Sequence, residues 1–155
     1  MAKRSSWLTL GDRIGNIIGA ILGALVIYFF FLHESKETGF FLAAFQGNIR
    51  NYFFAMMWVG IGVSLITAVI GHRNTSRFMQ AASSFFSSWV LWQLYKVFPF
   101  DFSHFNDFMW SWAKVIFVWI NNPIARIIIL VAAIISLITG IATSIAFLIN
   151  LFRKE

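Results

Sequence analysis

GDRIGNIIGAILGALVIYFFFL, residues 11–32, decides how this chain is read. Gly11, Gly15, Gly19 and Gly23 recur every four residues. On a helix this spacing stacks them on one face, drifting by about 40° per step. In a soluble helix each glycine would cost roughly 1 kcal/mol relative to alanine. In lipid the backbone keeps its internal hydrogen bonds regardless. A glycine face then becomes a flat surface on which a second helix can pack closely. Residues 14–32 form an apolar run of about 28 Å as a helix, close to the hydrocarbon thickness of a bilayer. The run follows the basic start MAKR and could mimic a signal peptide. It is too long for that role and ends in YFFFL without a small-residue cleavage site, so it reads as a retained membrane anchor.

Composition extends this reading to the whole chain. Of 155 residues, 59% are hydrophobic and 12% charged, against about 25% charged in soluble domains. So few charges cannot dress the surface of a soluble fold. The expectation is an all-α integral membrane protein forming one membrane-embedded helical domain over residues 1–155, with the lipid bilayer as its first partner. There is no cysteine, hence no disulfide, thiolate nucleophile or cysteine metal site. The formal charge is +6. The bases do not form a run, so they point to membrane orientation and not to nucleic acid.

Four spans are expected, at about residues 14–32, 53–70, 78–98 and 123–152. Asn16, near the start of the first, suits an interfacial amide bonded to backbone or water. Residues 33–50 form a loop with a charged half and a greasy half, Phe40, Phe41, Leu42 and Phe45, lying on the membrane or against the bundle. His33, Glu34 and Glu37 are too loosely spaced for a metal site and read as solvated. The second span repeats the small-residue ladder with Gly60, Ser64 and Ala68, and Gly71 stops it. The third is unusually polar: Ser83, Ser84, Ser87, Ser88 and Gln93 either pack helices closely or line a water path. Lys96 can snorkel at its exit, and Pro99 closes it.

Beyond Pro99, Phe105, Phe108, Met109, Trp112, Ile116, Trp119 and Ile120 fall at helical spacing, opposite Asn106, Asp107, Ser111 and Lys114. The pattern predicts an interfacial amphipathic helix over about residues 105–120, rich in tryptophan, with a re-entrant or full span as its rival. Asp101, His104 and Asp107, spaced by three, read as incidental loop polarity. Asn122 and Pro123 open the last span, which carries a third ladder, Ala132, Ser136, Gly140 and Ser144. Its apolar run exceeds the bilayer thickness, so it must tilt or project.

With four spans, one side gathers Lys3, Arg4, Arg13, Arg73, Arg77, Arg153 and Lys154, and the other Lys36, Arg50, Lys96, Lys114 and Arg126. The excess of bases on the first side places both termini in the cytoplasm of a cell, or inner, membrane.

No acid lies inside a span, and there is no phosphate-binding loop, histidine pair at metal spacing or nucleophile elbow. Proton-coupled transporters normally need an acid or histidine at depth. The chain is therefore expected not to be an enzyme and to need no cofactor. It reads as an accessory or scaffolding subunit that packs through its small-residue faces against itself or a larger membrane complex. The alternative is a homo-oligomeric pore lined by the serine-rich third span, although that polar face stops near Trp89 and Trp92.

Overall fold

A computed structural model describes residues 7–109 and 111–152. It is all-helical apart from isolated bridges: α1 (Leu10–Ser35), α2 (Asn48–Ile70), α3 (Arg73–Val97), a 3-10 turn (Phe102–His104), α4 (Ser111–Phe117) and α5 (Asn122–Phe152). Three of these, α1, α2 and α5, are long and apolar enough to cross a membrane. α3 has 25 residues, enough for about 37 Å of helix. Its arginines, glutamines and serines leave it less apolar than the other three. Lys3, Arg4, Trp110, Arg153 and Lys154, which entered the orientation and belt arguments, lie outside the described residues.

Local chemistry explains the helix limits. α1 begins at Leu10, four residues before the apolar run, because Thr9 and Asp12 form a reciprocal capping box: the Thr9 hydroxyl accepts from the Asp12 N–H at 3.2 Å, and the Asp12 carboxylate from the Thr9 N–H at 3.0 Å. α2 ends where Gly71 enters the left-handed region, its N–H donating to the Thr67 carbonyl at 3.0 Å. A Cβ at Gly71 would run into the Arg13 guanidinium. Only Gly71 and His72 separate α2 from α3, so the two helices form a tight hairpin. The N-terminal segment is stapled to this corner, with Leu8 N–H donating to the Gly71 carbonyl at 2.7 Å. α3 closes at Phe98, also left-handed, just before Pro99. α5 is capped by Asn121, whose side-chain oxygen accepts from the Ile124 N–H at 3.1 Å, one residue earlier than the Asn122 cap expected from sequence. The Asn122 side chain instead reaches across to accept from the Phe102 N–H at 2.7 Å.

The helices pack in a row. α1 lies on α2, α2 on α3, and α3 on α5, the last contact being the most extensive. α1 and α5 do not meet, so the row stays open. Much of the outward surface is aliphatic: Ile134, Ile138, Ile141 and Ile145 on α5 are exposed, as are Ile18, Leu22 and Leu25 on α1. An exposed apolar surface of this extent fits lipid as its solvent.

One end of the row is closed by an aromatic cluster. Phe40, Phe45, Phe53, Val90, Leu94 and Phe100 form the main core of the molecule. The greasy half of the first loop thus packs against the bundle, tied to the loop after α3 by Leu42 N–H to Pro99 O at 3.0 Å and Asp101 N–H to Phe40 O at 2.7 Å. The cluster also corrects two sequence expectations. His33 and Glu34 belong to α1, and His33 is 1% exposed, wedged between Phe29, Phe40 and Phe108; it is not solvated. The expected helix over residues 105–120 is shorter, with turns at 105–109 and helix only at Ser111–Phe117. Phe105 packs on Phe29, Phe40 and Phe102, and this anchors the segment in a 3-10 turn that Asp101 caps. The helix cannot begin until the chain leaves the cluster.

Candidate functional site

The three small-residue ladders do different things. In α5, Gly140 is buried, and a Cβ there would meet the Phe85 ring of α3 at 3.1 Å. Ala132, Ser136 and Ser144 are half-buried on the same helix, and Ser144 borders a small apolar cleft with Phe78, Phe85 and Phe147. Gly140 and Ser144 thus lie against rings of α3. In α2, Ala68 is buried and Ser64 and Gly60 are half-buried, with open space where a Gly60 Cβ would stand.

The α1 ladder is different. Gly23 is pressed against α2, where a Cβ would come within 2.9 Å of Ile61. At Gly15 and Gly19 a Cβ would meet nothing within 4 Å, and at Gly11 only the Thr9 hydroxyl of its own cap. Gly11, Gly15 and Gly19 are all exposed. The drift of a four-residue repeat accounts for this, since each step turns the face further around the helix. The last glycine points at α2, Gly19 looks out of the molecule, and Gly11 and Gly15 border the groove where α1 begins.

Ser83, Ser84, Ser87 and Ser88 of α3 are half-buried, and Ser76 near its start is buried. The Ser88 hydroxyl donates to the Ala133 carbonyl of α5 at 2.8 Å, a hydrogen bond across the helix seam. Ser83, Ser84 and Ser87 make no comparable cross-helix bond among the described hydrogen bonds, and Gln93 is half-buried lower on the same helix. Arg77 also reaches α5, donating to the Ala146 carbonyl at 3.4 Å.

Where α1 and α3 begin, they diverge over the α2–α3 corner and leave a groove of about 530 Å³. Gly11, Asp12, Gly15 and Asn16 line one wall, and Arg73, Ser76, Arg77 and Gln80 the other, with Leu8 at the rim. Asn16 donates to the Asp12 carbonyl at 2.7 Å, as suits an interfacial amide. Asp12 lies 3.8 Å from Arg73 Nη2 and is half committed to its own helix cap. Arg73 Nε is buried in this wall without a hydrogen-bond partner. No side chain caps the N-terminus of α3, and no acid lies in its first turn. Sequence reasoning used Arg73 and Arg77 only as orientation charges. Their spacing with Ser76 and Gln80, at i, i+3, i+4 and i+7, is nevertheless the signature of one polar stripe on a helix.

At the opposite end, Arg50 and Glu34 form an ion pair through Nε and Nη2, the latter at 3.2 Å. His104 Nδ1 lies 3.2 Å from Asp107. Hydrogen bonds from the Ser103 backbone N–H and hydroxyl hold the Asp101 carboxyl below the usual carboxylate range. Asp101 is thus held by Ser103, while His104 and Asp107 pair with each other. Among the described residues no group of three His, Cys, Asp or Glu side chains gathers at metal-binding distance. His33 Nδ1 pairs with the Thr38 hydroxyl at 2.7 Å, while Nε2 is buried without a hydrogen-bond partner.

No known protein family matches the chain, and comparison with characterised proteins and with solved structures finds no similar protein.

Proposed function

We propose that this protein is a small non-catalytic accessory or scaffolding subunit of the membrane, whose open α1 face receives a transmembrane helix of a second copy or of a larger membrane protein. One observation carries the reading. Gly19 offers bare backbone to the outside, with nothing within 4 Å of where a Cβ would stand, while Gly140 in α5 is already covered by Phe85. A glycine face lets helix backbones approach closely, and in lipid such contacts rest on packing rather than on water exclusion. The reading includes α3 as a fourth span, shielded between α2 and α5, and α4 lying in the interface with Trp112, Val115 and Ile116 toward lipid. Both termini are assigned to the cytoplasmic side of the inner or cell membrane, on the excess of bases there.

The pore alternative draws less support. A serine lining a path would turn its hydroxyl to water, whereas that of Ser88 is used between α3 and α5.

The test is the mass of the complex extracted in native lipid at natural abundance, for the wild type and for Gly19→Leu. The expected result is a wild-type assembly heavier than one chain that Gly19→Leu releases as a single chain with lipid. A wild-type mass of one chain, or an assembly indifferent to Gly19→Leu, sinks the reading.

A further inference from the structure

The groove at the start of α1 and α3 is not explained by helix packing. Closely packed helices bury small residues; here two helices part and face each other with polar groups. Its α3 wall presents Arg73 and Arg77 one turn apart, with Gln80 beside them. Among the described residues the only carboxylate in the groove is Asp12, so two guanidinium groups face one acid. Asp12 already accepts from Thr9 and lies 3.8 Å from Arg73 Nη2, Arg77 Nη1 donates to the Ala146 carbonyl at 3.4 Å, and the remaining guanidinium N–H groups, the buried Arg73 Nε among them, have no carboxylate. The α1 wall is bare at Gly11 and Gly15, which leaves room for a ligand several atoms wide. Such a donor set suits an anion with several acceptor oxygens. Guanidinium groups bind phosphate oxygens through paired, charge-assisted hydrogen bonds.

Position identifies the source of that phosphate. The groove opens where the apolar part of α1 begins, at the depth of lipid headgroups, and basic pockets between membrane helices on this side match anionic headgroups. We infer that the α1–α3 groove is a binding site for the headgroup of an anionic phospholipid, its phosphate held by Arg73 and Arg77 with Gln80 and Asn16 as neutral donors. A zwitterionic headgroup fits less well, because its ammonium would be brought up to the same two arginines. The inference rests on the side of the membrane assigned above but not on the partner helix, whose face is centred on Gly19 outside this groove.

Native mass spectrometry of the full chain, delipidated in non-ionic detergent, tests this with phosphatidylglycerol and phosphatidylcholine added at equal concentration. The wild type should retain one phosphatidylglycerol under activation that strips phosphatidylcholine. Combined Arg73→Gln and Arg77→Gln should weaken that retention by roughly tenfold or more, as expected for two lost charge-assisted hydrogen bonds. Gln80→Glu, which keeps both arginines and adds a repelling carboxylate, should weaken it in the same direction, and it decides the matter should the double variant fail to fold. Lys114→Gln, which removes a positive charge outside the groove, should change nothing. Equal retention of the two lipids overturns the inference, as does phosphatidylglycerol binding that survives both groove variants or falls equally in Lys114→Gln. Displacement of the lipid by equimolar glycerol 3-phosphate or inorganic phosphate would assign the groove to a soluble phosphate and overturn the lipid assignment.

Discussion

Gly71 shows how much a single backbone conformation can hold. It sits in the left-handed region at φ 65°, ends α2, and makes room for Arg13. An alanine there meets both the left-handed penalty and the guanidinium. Gly71→Ala should therefore destabilise the chain by about 2 kcal/mol or more, read as thermal unfolding in mild detergent by tryptophan fluorescence. The α1 glycines divide by their surroundings. Gly23→Ala forces Ile61 to move and should cost about 1 kcal/mol or more. Gly19→Ala meets open space and should leave the purified single chain within about 0.5 kcal/mol of wild type. Equal destabilisation by the two would mean that Gly19 is packed within the chain. From the sequence the four glycines looked equivalent, because spacing records a face but not what the face meets.

At the scale of elements, the seam between α3 and α5 is the most extensive contact in the molecule, and it is built from small residues against rings. Phe85 lies on Gly140, and Ser88 bonds to the Ala133 carbonyl. That carbonyl also serves its own helix, so Ser88→Ala should cost only about 0.6 kcal/mol, the usual value for a hydrogen bond between membrane helices. Gly140→Leu has no such latitude, because its side chain would have to displace the Phe85 ring. It should lower the unfolding temperature far more than Ser88→Ala, and a reversed order would show that the seam relies on its hydrogen bond. The helix periods and Gly71 stop were legible in the sequence. The break at residues 105–109 was not. Apolar spacing there is helical, yet Phe105 is drawn onto Phe29 of α1, Phe40 of the first loop and Phe102, at the edge of a cluster that also takes residues from α2 and α3. Periodicity describes neighbours along a helix and carries no information about rings tens of residues away.

For the whole molecule, the open row of helices sets the accessible surfaces. The absence of cysteine makes topology directly measurable, since any thiol introduced is the only one present. With four spans, Thr75→Cys should react with a membrane-impermeant maleimide from the side on which Ser6→Cys reacts, and Lys36→Cys and Ser103→Cys from the opposite side. Labelling of Ser103→Cys from the same side as Thr75→Cys would remove α3 as a span. Composition and apolar run length alone determined that this is an all-helical chain with at least three segments fit to cross a bilayer, because a bilayer selects length and hydrophobicity with little regard for detail. Tertiary structure alone decided which small faces are covered and that Arg73 and Arg77 share a groove with Gly11 and Gly15. Those outcomes depend on the rotation of each helix about its axis and on which helices become neighbours, and both are set by packing between segments distant in the chain.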